Sequence, residues 1–306
     1  MAKSTKRDLH QEVTDKIIAR IEQGAFSAGE LWNKKACIGS QASALLPVNA
    51  TTGKAYNGIN RLILFLEMAV NDDYSENLWV TYNQAKKEGW QVRKGQKSVA
   101  LCFYSKYTKE DKDGKEKDLF FMKSFNVFNV AQLDGYEKSA NTNTAIITTA
   151  DSNETLQTIL KNTDVTLLPE GGDQAFYAPA FDAIQMPPRK AFTSEEAWSA
   201  TYTHELVHTT LHASRLDRRY KEVYGTKEGY AREELVAELG SAFLCSQLGF
   251  IQETLEFHAS YLASWCQVLK EDKKAIFKAC SDAQKASDFI LENWAGIKQE
   301  EETAAA

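Results

Sequence analysis

His204-Glu205-Leu206-Val207-His208 is the stretch on which the reading of this chain turns. On an α-helix, histidines four residues apart lie one above the other, so both imidazoles reach one cation while the glutamate between them aims at a bound water. HExxH in a helix therefore places two metal ligands and a general base, Glu205, within one turn, which is the pattern of a zinc hydrolase. The surroundings read as helical. Thr193-Ser194-Glu195-Glu196 has the form of a capping box that opens the metal helix. A second helix is expected from about Tyr230 to Leu248, stopped by Gly249.

A hydrolytic zinc site takes three protein ligands and keeps one position for water, so one ligand is missing from the motif. Glu233-Glu234-Leu235-Val236-Ala237-Glu238 begins the second helix. Leu235, Leu239 and Ala242 share a face expected to point to the core, with Phe243 beside it, which leaves Glu234 and Glu238 as an i, i+4 stripe toward the first helix. The expected ligands are His204, His208 and Glu234, with Glu238 orienting a histidine N–H. Glu233 is the rival third ligand, because a one-residue change of helix phase exchanges the two. His212 continues the histidine series, but i and i+8 are about 12 Å apart along a helix, too far to share one ion. It is expected to be structural or substrate-facing. Ser214 and Leu211 stand where the metzincin pattern needs His and Gly.

Zn2+ is the expected cofactor, with another divalent cation such as Mn2+ as the alternative. With three ligands, amide hydrolysis is the favoured reaction. Ala175-Phe176-Tyr177, ahead of the metal helix, is a candidate edge strand for an extended peptide. His258 and Tyr261, on a helix expected from about 253 to 270, are candidates for stabilising the oxyanion, and equally a core histidine beside a core tyrosine.

The 306 residues, 43% of them apolar, suffice for about two domains. The best apolar run, Leu62 to Val70, is too short for a membrane span and carries Glu67. The opening MAKSTKRDLHQEV lacks the apolar core of a signal peptide, so a cytoplasmic location is expected. Five scattered cysteines without a CxxC read as reduced, mostly buried thiols. The net charge of −6 is uneven: residues 1–140 hold 21 Lys+Arg against 17 Asp+Glu, and the remainder 15 against 25. A basic half joined to an acidic one confines any nucleic-acid contact to the first.

Residues 8–23 read as an amphipathic helix, and a second apolar helix runs from about Asn60 to Val70. Trp79–Tyr82, Ser98–Tyr104 and Phe120–Phe128 are β-branched and aromatic, with the charged segment Lys106 to Asp118 expected as an exposed hairpin loop. The fold class is α+β in two domains. Residues 1–136 form an α+β domain with an antiparallel sheet, 137–152 a polar linker, and 153–306 a mainly helical domain with a small sheet of strands near 165–168, 175–177 and 183–186.

Ordered blocks run the length of the chain. They include Asn49-Ala50-Thr51-Thr52-Gly53-Lys54-Ala55-Tyr56-Asn57-Gly58-Ile59-Asn60, Val92-Arg93-Lys94-Gly95-Gln96-Lys97, Gly171-Gly172-Asp173-Gln174-Ala175-Phe176-Tyr177, Ile184-Gln185-Met186-Pro187-Pro188, the HExxH itself, Ser214-Arg215-Leu216-Asp217-Arg218 and Tyr230 to Glu238. In these the chain resembles the plasmid antirestriction proteins of the ArdC type, related to the N-terminal parts of certain plasmid DNA primases. The resemblance implies an N-terminal domain that binds single-stranded DNA, a C-terminal zincin-like metallopeptidase domain, and protection of incoming plasmid DNA from host restriction; a host restriction or other protein is the substrate considered for the metal site. Thr209 stands where an aromatic residue commonly follows the motif, and Ala55 and Asn57 replace bulkier or basic residues. Single-strand binders combine cationic grooves with aromatic platforms. Lys54, Tyr56, Arg61, Trp79, Tyr82, Trp90, Arg93, Lys94 and Lys97 are the candidates here. The competing readings are a cytosolic zinc endopeptidase and a DNA-binding protein in which zinc is only a staple.

Overall fold

Val13, Ile17 and Ile18 recur at helical spacing and are buried, and the segment carrying them is helix α1 (Leu9–Glu22). The computed structural model describes residues 8–22, 46–110, 116–137, 149–218, 226–250 and 259–298. Helix α2 (Gly58–Val70) buries both of its sides. Leu64 and Met68 pack against a sheet with Trp79, Leu101 and Val127, whereas Leu62, Phe65 and Leu66 join a second, larger cluster.

The sheet has the order β1 (Val48–Asn49), β2 (Leu78–Thr81), β5 (Glu116–Asn129), β4 (Val99–Glu110). It is antiparallel as expected, except that β1 runs parallel to β2. The short helix α3 (Tyr82–Lys87) follows β2 through a capping box between Thr81 and Gln84. A two-stranded ladder of β3 (Gln91–Val92) and β6 (Leu133–Asp134) lies to the side. The segment Lys106 to Asp118 is not all loop. Pairing continues from Val99↔Val127 to Glu110↔Glu116, because a ladder of backbone bonds forms without apolar side chains.

In the second half, helix α4 (Thr149–Asn162) begins inside the stretch expected as linker. Leu156 and Ile159 seat it in the large cluster, and Ser152 Oγ donates to the Leu248 carbonyl. Strands β7 (Thr166–Leu167), β8 (Phe176–Ala178) and β9 (Ala183–Gln185) form a sheet of order β7-β9-β8. Helices α5 (Glu195–Thr209), α6 (Lys227–Leu248), α7 (Ala259–Glu271) and α8 (Ala275–Asn293) complete the fold. Ser194, rather than Thr193, caps α5. Its side chain accepts from Ala197 N, so Glu196 falls one position short of closing a capping box. Gly249 ends α6 in a left-handed conformation, φ 78°.

The large cluster takes side chains from α1 and α2 as well as from α4 to α8. The two halves of the chain thus share one core. Cys102, Cys245, Cys266 and Cys280 are free thiols, and burial pushes Cys245 up to about 11; Cys37 lies outside the described residues. Among the described residues no helix is long and apolar enough to cross a membrane.

Candidate metal centre

Two helices that approach very closely make this site. A Cβ placed on Gly240 of α6 would lie 2.8 and 2.9 Å from the two methyl carbons of Val207 on α5. Glycine at that crossing lets the helices touch between the two histidines of α5 and the glutamates of α6. Thr203 and Ser241 lock the same contact, with 2.8 Å between hydroxyls and Ser241 donating to Ala200 O at 3.1 Å.

His204, His208 and Glu234 come together, each offering one ligand atom within 4.8 Å of the others. The two Nε2 atoms are 3.1 Å apart, and each is 3.6 Å from an oxygen of Glu234. Two nitrogens bound tetrahedrally to one zinc would stand about 3.3 Å apart, so the donor set fits such an ion. The outer nitrogens are also served. His204 Nδ1 faces Glu238 Oε2 at 3.7 Å, an oxygen that is buried and without a hydrogen bond. His208 Nδ1 donates to Glu233 Oε1 at 3.3 Å. Both imidazoles remain partly open to solvent, with side chains 16% and 13% exposed.

The expected rival of Glu234 is thereby placed on the far side of His208. Glu233 is buried and held by Arg218, whose Nη1 and Nη2 donate to its two oxygens at 2.9 and 3.2 Å. That Arg218 belongs to this site, and that each histidine has its own carboxylate, emerges only from the packing of the two helices. Glu205 is buried beside His204, close enough for its charge to act on that imidazole. Burial disfavours a charged His204, but the carboxylates of Glu238 and Glu234 facing its two nitrogens, and the field of Glu205, hold its pKa well above the usual value. Burial also raises Glu234, yet the adjacent imidazoles of His204 and His208, with the Tyr230 hydroxyl, bring it down to about 2.

His212 lies past the end of α5, with Ser214 Oγ at 2.8 Å from its Nδ1, and takes no part in the cluster. His258 lies outside the described residues; Tyr261 falls on α7, but its side chain is not among those described. Among the described residues strand β8 pairs only with β9, at the edge of its sheet, and it packs beside the metal helix.

The candidate DNA residues separate sharply. Trp79 is 0% exposed, with its indole N–H donating to Asn77, Arg61 is 1% exposed and Tyr56 6%. These three are corrected to core residues: a buried ring offers no face to a base. Arg61 donates to Tyr56 O, Asn57 Oδ1 and Gln247 Oε1 and lies over the Phe243 ring, which joins α2 to α6. Trp90 is half-buried against Tyr136. Arg93 is exposed but reaches the Leu133 and Ala131 carbonyls and Asp134. Tyr82, 50% exposed, lines an open groove of about 660 Å³ with Thr51, Thr52, Lys87, Phe125 and Asn126. Lys54, Lys94 and Lys97 are exposed.

A helix bearing HExxH, a glutamate from the following helix and a small sheet alongside define a zincin-like metallopeptidase domain, and residues 154–282 match the family of that description. Residues 7–128 match a second, the N-terminal domain of anti-restriction factor ArdC. With both halves matched in order, this chain belongs to the ArdC family of antirestriction proteins. The metal-free crystal structure of the antirestriction ArdC protein from plasmid R388 is similar with a TM-score of 0.76 at 35% identity, covering 96% of this chain and 100% of that one. The Mn(II)-bound structure of the same protein gives 0.74 at 34%, covering 95% and 100%. The uncharacterized protein y4eC of Sinorhizobium fredii (strain NBRC 101917 / NGR234) is 32% identical over 99% of this chain and 97% of its own length. A DNA primase TraC of Escherichia coli is 34% identical over 94% of this chain, which spans only 20% of the primase. The fold and the Mn(II)-bound relative imply a divalent metal at this site.

Proposed function

We propose that this chain protects incoming plasmid DNA from host restriction by binding single-stranded DNA through its N-terminal part and cleaving a protein at a zinc site in its C-terminal part. The convergence of His204 Nε2, His208 Nε2 and Glu234 carries the reading. Three protein donors leave one coordination position, and the partial exposure of both imidazoles opens it to solvent, which favours a hydrolytic over a purely structural ion. A zinc ion held there supplies a Lewis acid that acidifies water and polarises a carbonyl. Glu205 takes the proton from the attacking water and passes it to the leaving amine. Glu238 and Glu233 hold the two imidazoles in the tautomer that presents Nε2. The peptide lies extended along the edge of β8.

On the DNA side, bases stack on the Tyr82 ring in the groove beside Phe125, and Lys54, Lys87, Lys94 and Lys97 meet the phosphates. The cytoplasm, where restriction takes place, is the proposed location.

Glu205→Gln tests the catalytic reading. The variant is expected to keep wild-type zinc content and salt-sensitive binding to single strands while losing protection of transferred plasmid DNA. Protection at the wild-type level would sink the peptidase reading and leave zinc as a staple.

A further inference from the structure

Arg218 and Glu233 are both buried, and their pairing engages both carboxylate oxygens. Such a pair does little for stability by itself, since desolvating two charges consumes most of their attraction. Its surroundings suggest another role. Oε1 of Glu233 also accepts from His208 Nδ1, while Arg218 Nη2 donates to the Val207 carbonyl at 2.9 Å and to Thr210 Oγ1 at 2.8 Å. The guanidinium is thus fastened to the last turn of α5, which carries His208, and to the first turns of α6, which carry Glu233 and Glu234.

We infer that Arg218 is a positioning residue for the metal: through Glu233 it fixes the ring and tautomer of His208, so that Nδ1 bears the proton and Nε2 presents its lone pair to the cation. The inference rests on His208 being a ligand. The two histidines are held differently. The carboxylate behind His204, Glu238, has an oxygen with no hydrogen bond, whereas the one behind His208 is clamped by a bidentate arginine. Arg218 also lightens the charge of the site. Glu205, Glu233, Glu234 and Glu238 would otherwise set four carboxylates around a dication, and Arg218 neutralises Glu233, which lies behind His208.

The test uses the full-length chain with Zn2+ alone, in competition with a chromophoric chelator, and Co2+ as a spectroscopic substitute. Glu233→Gln and Arg218→Gln are each expected to weaken zinc roughly 10- to 100-fold. The double variant should be no weaker than the weaker single one, because both act through a single contact. The cobalt absorption bands should shift in the same variants while the metal-free proteins keep the wild-type circular dichroism. Arg218→Lys, unable to grip both oxygens, should recover only part of the loss. Wild-type zinc affinity and an unchanged cobalt spectrum in folded Glu233→Gln would overturn the inference. If Arg218→Gln does not fold, Glu233→Gln, which preserves the side-chain volume, decides alone. A wild-type protein that bound neither ion would instead sink the metal site itself, so the two failures are distinguishable.

Discussion

Glu233 and Glu234 are chemically identical neighbours, and only their surroundings decide which faces the two imidazole Nε2 atoms. A step of one residue turns a helix by about 100°, so Arg218 captures one carboxylate and the histidine pair the other. Glu234→Ala is therefore expected to abolish stoichiometric zinc by elemental analysis, since Glu233 is committed elsewhere. Wild-type zinc content in that variant would refute the assignment. The charge state of the metal-free site makes a second prediction. His204 is held above its usual pKa, so an entering cation must displace a proton, and zinc affinity should rise with pH up to that raised value and flatten beyond it. Proton release during zinc titration, measured in buffers of different ionisation enthalpy, checks this; no release near neutral pH would contradict it. For His204, the stability of the metal-free protein follows the opposite sign. The His204 contribution is complete below the usual histidine pKa and is lost as pH rises through the raised one. The Glu234 contribution is present above its ordinary 4.5 and lost as pH falls toward about 2. Helical phase narrowed the third donor to Glu234 with Glu233 as rival, and the packing around Arg218 separates the two. The places of Trp79, Tyr56 and Arg61 were not legible, because an aromatic or cationic side chain has the same letter in a core and on a binding surface. Only the sheet register and the packing of α2 turned these three inward.

Helix α5 displays the motif, but its geometry depends on how near α6 can come, and that distance is set by Gly240. In the sequence this glycine is an unremarkable small residue inside a helix, where it costs up to about 1 kcal/mol relative to alanine. Its value appears only when Val207 is placed opposite. Gly240→Ala should overpack the crossing, lowering stability by about 1–3 kcal/mol despite the better helix propensity. It should also weaken zinc by pushing Glu234 away from the histidines. Urea unfolding with parallel zinc titration would show both; a gain in stability would mean that the helices separate at no cost. The edge of β4 away from β5 has a similar hidden device. Asn60 on α2 donates to the Cys102 carbonyl at 2.7 Å and accepts from its N–H at 2.8 Å, satisfying the edge strand as a neighbouring strand would. Asn60→Ala removes both of these bonds from a buried strand edge, at a cost on the order of 2 kcal/mol by denaturant unfolding. The hairpin arms themselves were readable from their β-branched and aromatic residues. The length of the hairpin was not, because charge in the sequence marks solvent contact and says nothing about backbone pairing.

The division into a basic and an acidic half was visible in composition, and the two family matches follow it, 7–128 and 154–282. Mechanically the division is incomplete. Leu62, Phe65 and Leu66 of α2 lie in the same cluster as Phe243 of α6 and Ala279 of α8, and the Gly58 N–H donates to Gln284 on α8. No periodicity within α2 could show this, because a helix buried on both sides looks the same whether its second partner lies in its own domain or in the next. A fragment ending near residue 136 would expose that apolar face to water, so single-strand binding should be measured on the whole chain. The same packing predicts that the halves unfold together. Arg61→Met keeps the bulk over Phe243 but removes three hydrogen bonds, one of them to Gln247 of α6. A loss of roughly 2–4 kcal/mol is expected. With Co2+ bound in the C-terminal half, and with Trp198→Phe, Trp265→Phe and Trp294→Phe in the background so that fluorescence comes from Trp79 and its N-terminal neighbours, cobalt absorbance and tryptophan fluorescence follow the two regions. In wild type and variant alike their urea transitions should coincide, both shifted to lower urea by the substitution. Two separated transitions, with Arg61→Met moving only the fluorescence, would show that the shared cluster does not couple the N-terminal half to the helices of the candidate metal site.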